Sequence, residues 1–129
     1  MIKSEQQKNR TLKMLKEYNE NLKTLDEYSR GSLLSLIGTL EQEIEEYENL
    51  KKGIYELPKN ISFVELLQSI SKIRISKGLS QQDLANMLGI TKQQLNRYEE
   101  HNYQNVSIAK INEILEVLNI SVSLFKKVA

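Results

Sequence analysis

Residues 78–99, G-L-S-Q-Q-D-L-A-N-M-L-G-I-T-K-Q-Q-L-N-R-Y-E, decide the fold. Ser80 stands three residues before Asp83, and Thr91 three before Gln94. This is the capping-box spacing, in which a side-chain oxygen accepts a hydrogen bond from an otherwise unpaired N–H in a helix's first turn. Leu79 with Leu84, and Ile90 with Leu95, bracket the two caps as hydrophobic staples, which fix the angle of chain entry. Ala85 is small where two steeply crossing helices touch. Gly89 supplies the left-handed conformation that closes the first helix. The pattern predicts two short helices with a tight turn between them.

Two such helices, the second of them polar, make a helix-turn-helix, whose second helix commonly lies in the DNA major groove. That helix is expected over residues 92–98. Helical spacing turns Leu95 and part of Tyr98 inward and leaves Lys92, Gln93, Asn96 and Arg97 on one outward face. These types suit base edges: Arg or Lys on guanine O6 and N7, Gln or Asn on adenine N6 and N7. The plain alternative is a solvated polar face.

The stretch resembles the Cro/repressor-type helix-turn-helix domain, also called the XRE family. The residues that carry the resemblance are Gly78, Leu79, Ser80, Gln81, Leu84, Ala85, Leu88, Gly89, Ile90, Leu95, Arg97 and Glu99, and it extends over roughly residues 63–118. The resemblance implies base contacts at Lys92, Gln93, Asn96 and Arg97. It implies a phosphate contact at Gln81, where a helix N-terminus favours an anion in any case. Gln82 and Gln94 are further phosphate candidates, and Lys77 and Lys110 could add positive charge. It also implies an internal salt bridge between Arg74 and Glu99. Glu100 and His101 stand where the family pattern has a glycine, so the loop at residues 101–104 departs from it.

Outward from this core the pattern stays helical. Ser62 and Glu65 form another capping box, stapled by Ile61 and Leu66, and open a helix with Val64, Leu67, Ile70 and either Ile73 or Arg74 on roughly one face. Ser107 caps a last helix with Ile108, Ile111, Ile114, Leu115 and Leu118 buried. After Asn119 the period becomes two, with Ile120, Val122 and Leu124 alternating with Ser121, Ser123 and Phe125. That reads as a short strand, and a lone strand finds its partner most cheaply in a second copy of the chain. Toward the N-terminus, Leu12, Leu15, Tyr18, Leu22 and Leu25 form one stripe, and Leu33, Leu36, Ile37, Leu40, Ile44, Tyr47 and Leu50 a second. A break is expected at residues 29–31, with Ser32 as the next cap and Gly53 as the closing one. The expected architecture is all-α: an antiparallel hairpin at 1–53, a connector at 54–61 around the single proline Pro58, and a five-helix-type module at 62–129 with a short C-terminal β-strand available for dimerisation.

Composition narrows the function. The chain has 129 residues and no cysteine, which excludes a disulfide framework and thiolate metal sites. No signal peptide and no span of bilayer length is visible, so a cytoplasmic protein without a membrane partner is expected. Net charge is +1. Residues 1–60 carry net −1 and residues 61–129 net +2, a small basic excess on the half with the DNA-reading pattern. The lone His101 lacks a nucleophilic partner, and the run Glu41, Glu43, Glu45, Glu46, Glu48 wraps around its helix and presents no facing pair. No catalytic residue, metal site or cofactor is expected, and an enzyme is disfavoured. Three functions remain. The first is a homodimeric repressor on an inverted-repeat operator in double-stranded DNA, regulating its own promoter. The second is an antitoxin that neutralises a toxin protein through the hairpin; the layout is similar to that of HigA-like antitoxins. The third is a helical scaffold that no longer reads DNA.

Overall fold

The computed structural model describes residues 1–128 and holds six helices and no strand among them. Ala129, the last residue of the expected module, lies outside the described residues. The chain forms two compact units: residues 1–57 with residues 75–78, and residues 58–74 with residues 79 onward.

The first unit is a helical hairpin. Helix α1 (Glu5–Leu22) starts at Ser4, whose hydroxyl accepts from the Gln7 N–H at 3.2 Å. Helix α2 (Glu27–Lys51) starts at Asp26, whose carboxylate accepts from the Ser29 N–H at 2.8 Å. Residues 23–26 therefore make the turn, and the expected break at 29–31 is helix. Asp26 caps as well as Ser32 could and starts the helix six residues earlier, and a glycine inside a long, packed helix costs only about 1 kcal/mol, which the packing outweighs. Gly31 and Gly38 lie in α2 with open space around the position a Cβ would take. The helix ends at Gly53 (φ 79°), with the Gly53 N–H on Leu50 O at 2.9 Å and the Ile54 N–H on Asn49 O at 3.0 Å, which satisfies its last carbonyls.

Between α1 and α2 lie Thr11, Leu15 and Ile37. A second cluster joins Ile2, Tyr47, Leu50 and Ile75, flanked by Ile44 and Tyr55. Charge reinforces this end of the hairpin: Lys8 pairs with Glu48 and Glu5, Lys51 pairs with Glu5, and the Lys51 ammonium sits 5.8 Å from the Tyr47 ring centre. The other end of the hairpin is less covered. Leu12, Leu34 and Leu36 are exposed, and Tyr28 is 96% exposed.

The second unit contains most of helix α3 (Phe63–Ser76), then α4 (Gln81–Leu88), α5 (Lys92–Glu100) and α6 (Ile108–Val117). Each of these four helices starts on an expected cap. Ser62 accepts from the Glu65 N–H at 3.1 Å and Ser107 from the Lys110 N–H at 3.2 Å. The core is Leu66, Leu67, Ile70, Ile73, Leu84, Ala85, Leu88, Leu95, Ile111, Ile114, Leu115 and Leu118. Helix α4 packs on both α5 and α6. Val64 and Ile108, expected on inner faces, are exposed at 49% and 78%; both sit in the first turn of their helices, beyond the packed layer. Residues 120–128 have no regular structure, and residues 121–128 are exposed. The alternation there has no neighbouring strand edge within a single chain. No described helix is long and apolar enough to cross a membrane.

Candidate nucleic-acid interface

The turn between α4 and α5 is built from its caps. Ser80 accepts from the Asp83 N–H at 3.0 Å, and the Asp83 carboxylate accepts from the Ser80 N–H at 2.8 Å, a complete capping box. The bond to the Ser80 N–H holds the Asp83 carboxyl below its usual range. Gly89 is left-handed (φ 68°), its N–H reaches Asn86 O at 3.3 Å, and the Ile90 N–H reaches Ala85 O at 3.0 Å. These two bonds satisfy carbonyls at the end of α4 and turn the chain into Thr91, which accepts from the Gln94 N–H at 3.1 Å. Leu84, Ala85 and Leu95 are fully buried, so the two helices meet with no gap.

Beneath α5 lies a buried polar cluster centred on Glu99, 0% exposed. Arg74, 2% exposed, grips it with two parallel bonds: Nε to Oε2 at 2.9 Å and Nη2 to Oε1 at 2.8 Å. Arg74 Nη1 donates to Leu79 O at 2.7 Å. The Tyr103 hydroxyl donates to Glu99 Oε2 at 3.0 Å, Gln81 Nε2 donates to Oε1 at 2.9 Å, and Ser71 adds a further hydrogen bond. Burial alone would raise the Glu99 pKa, but the hydrogen bonds and charge of Arg74, with help from Gln81 and Ser71, outweigh it and hold the carboxyl below its ordinary value. Burial and the neighbouring carboxylate push the Tyr103 phenol far up, so it stays a donor. Among the described residues no buried side-chain polar atom lacks a partner. The cluster ties α3, the start of α4 and the end of α5 together.

The expected site residues divide into two groups. Lys92, Gln93 and Arg97 are exposed on α5, and their side chains make no hydrogen bond or ion pair among the described residues. Asn96, on the same face, is half-buried: its Oδ1 accepts from Gln81 Nε2 at 3.3 Å and its Nδ2 donates to Glu100 at 3.1 Å. Gln82 and Gln94 are exposed, with Gln82 donating to Asn86 at 2.8 Å and Gln94 to the Tyr98 hydroxyl at 3.1 Å. Gln81 differs from its expected placement. Its side chain is only 5% exposed and turns inward, because a buried carboxylate is a stronger acceptor than water at the same distance. Only its backbone stays at the α4 N-terminus. Tyr103 and Ser71 are the cluster members that sequence reasoning missed. The signal for Tyr103 was one aromatic residue in an otherwise polar loop, four positions after Glu99. Its own φ of 60°, and 49° at Asn102, fold that loop back over α5. No three His, Asp or Glu side chains among the described residues are grouped so as to hold a metal ion.

Two short helices meet at a stapled turn, and the second presents polar side chains outward, the arrangement of a helix-turn-helix. Comparison with known proteins agrees: residues 70–125 match the family described as "Helix-turn-helix". The chain is also similar to an uncharacterized HTH-type transcriptional regulator of Rickettsia prowazekii (strain Madrid E), 36% identical over 58 residues. The aligned part is 45% of this chain and 44% of that relative, so the chain spans under half the length of the protein it matches. No solved structure matches the chain significantly.

Proposed function

We propose that the chain is a sequence-specific DNA-binding transcriptional regulator, a cytoplasmic repressor that binds an inverted-repeat operator as a homodimer and regulates its own promoter. The observation that carries this reading is the outward face of α5. Lys92, Gln93 and Arg97 are exposed and uncommitted, on a helix whose other side is clamped by Leu95 and the Glu99 cluster. Ordering long polar side chains costs entropy, and a groove full of donors and acceptors repays it. Asn96 completes the row. Phosphate contacts come from the exposed Gln82 and Gln94 and from backbone N–H groups at the start of α4, beside Gln81. The role is binding, with no catalytic chemistry.

The dimer reading rests on residues 120–128, where Val122, Leu124, Phe125 and Val128 are exposed on a tail without regular structure. Pairing with the same segment of a second copy would cover them and pair their backbone. The test is selection from a randomised duplex library with the full chain, followed by binding at several salt concentrations. One enriched duplex with two inverted half-sites, bound more weakly as salt rises, supports the reading. No enriched sequence refutes it and leaves the scaffold reading. Truncation after Asn119 should lower the sedimentation mass from dimer to monomer; an unchanged mass removes the tail from the interface.

A second reading, that the chain is an antitoxin, draws on the hairpin. Tyr28, Leu34, Leu36 and Leu12 are exposed there, apolar side chains that a partner protein could cover. Co-expression with the neighbouring reading frame tests it: growth arrest relieved by this chain supports the antitoxin reading, and no arrest ends it.

A further inference from the structure

Helix α3 belongs to both compact units. The division falls between Arg74 and Ile75, so the end of the helix and the turn that follows, residues 75–78, go with the hairpin. Ile75 is 4% exposed and packs with Ile2, Tyr47 and Leu50. The left-handed Gly53 that closes α2 also lies against this turn: a Cβ there would stand 3.5 Å from Ser76 O. One residue before Ile75, Arg74 grips Glu99 beneath α5.

Hydrogen bonds make these neighbours open or close together. The Gly78 N–H donates to Ile75 O at 2.9 Å and the Leu79 N–H to Arg74 O at 3.2 Å, with Gly78 left-handed at φ 74°. This paired closure satisfies the last carbonyls of a helix. Arg74 Nη1 donates to Leu79 O at 2.7 Å across the same turn. A helix end opens locally unless packing holds it. Here the apolar cover on Ile75 comes from the hairpin, and opening would break both backbone bonds and the Arg74–Leu79 bond at once.

We infer that Ile2, Tyr47 and Leu50 are positioning residues for the DNA-reading helix: by holding Ile75 they keep Arg74 on Glu99, and with it α5 in its binding geometry. The effect on DNA rests on the proposal above, whereas the hold on Arg74 does not. Loosening the end of α3 lowers the fraction of chains with α5 clamped, and apparent affinity falls by that fraction.

Leu50→Ala in the full chain tests this by uncovering Ile75. Ile2→Ala does the same from a residue ahead of α1, where no helix is interrupted. Ile37→Ala is the comparison, buried in the same hairpin but outside the cluster with Ile75. The first readout needs no DNA: hydrogen exchange of the Arg74 Nε–H, which is bonded to Glu99 Oε2. Exchange should be at least about fivefold faster in Leu50→Ala and Ile2→Ala than in Ile37→Ala. Leu50→Met, which nearly conserves volume, should restore the wild-type rate. The second readout is the Kd for the selected operator, which should rise about fivefold in the first two variants and less than about twofold in Ile37→Ala. Exchange no faster in Leu50→Ala and Ile2→Ala than in Ile37→Ala overturns the inference. Faster exchange with an unchanged operator Kd overturns the link from Arg74 to α5. If no duplex is enriched, the DNA-reading proposal falls, and the exchange rates still decide whether the hairpin holds Arg74.

Discussion

Removing either partner of the Arg74–Glu99 pair should destabilise the helix-turn-helix unit, but with opposite behaviour toward pH. Glu99→Leu strands a guanidinium that is 2% exposed and cannot lose its proton, and Gln81, Tyr103 and Ser71 lose their acceptor. Breaking a buried pair in this way costs about 3–5 kcal/mol, a large part of the roughly 5–15 kcal/mol that holds a small domain folded. The cost should be nearly the same at pH 5 and pH 7. Arg74→Met strands the carboxylate instead, and a carboxylate has an escape: it can take up a proton. From an ordinary value of 4.5, protonation at pH 7 costs about 3.4 kcal/mol at 1.36 kcal/mol per pH unit, and at pH 5 about 0.7. The electrostatic part of the Arg74→Met deficit is capped by those figures, so it should shrink by about 2–3 kcal/mol between pH 7 and pH 5.

The signs follow from linkage. In the wild-type chain the folded carboxyl lies below its unfolded value, so its contribution is fully present above pH 4.5 and is lost as pH falls through the folded value. In Arg74→Met burial is no longer offset, the folded value rises above 4.5, and stability is lost as pH climbs through it. Urea titrations of the full chain, read by the amide resonance of the fully buried Leu95, report this unit separately from the hairpin. An Arg74→Met deficit that is equal at pH 5 and pH 7 would refute the reasoning, because it would mean that the carboxylate stays ionised without its guanidinium.

Three further outcomes are expected. Gln93→Ala should cost about 1–3 kcal/mol on the selected operator and far less on random DNA, measured by competition binding; equal losses would mean that Gln93 reads no base. Lys92→Ala should reduce the slope of log K against log salt by about 1 if Lys92 spends its charge on a phosphate, and leave the slope unchanged while altering base preference if it reads guanine. Gly89→Ala should cost about 1–2 kcal/mol, because an alanine is strained at φ 68°, whereas Gly31→Ala and Gly38→Ala, in helix with open space around them, should each stabilise the hairpin by about 0.5–1 kcal/mol in urea melts.

Local chemistry made most of the helix-turn-helix unit readable in advance. Ser62, Ser80, Thr91 and Ser107 each cap through a bond to an N–H three residues away, and a signal that short survives any tertiary context. The start of α2 was misplaced because Ser29, Arg30 and Gly31 look like a break, while the capping aspartate stands just before them. The placement of Gln81 was not legible at all. Nothing near it in sequence announces a buried carboxylate eighteen residues on, and only folding brings the two within 2.9 Å. Tyr103 was passed over for the same reason: its worth lies in one hydroxyl aimed at Glu99 across a loop whose two left-handed residues carry no glycine.

Four side chains share the one carboxylate of Glu99, and this has an evolutionary consequence. A lineage that changes Ser71, Arg74, Gln81, Glu99 or Tyr103 alone steps into a valley of lost stability, and only a concerted exchange could cross it. Lys92, Gln93 and Arg97 carry no such debt to the interior, so drift can rewrite them one at a time. A descendant could acquire a new target site while inheriting its architecture unaltered, with Asn96 the one letter of that alphabet still tethered to the vault beneath.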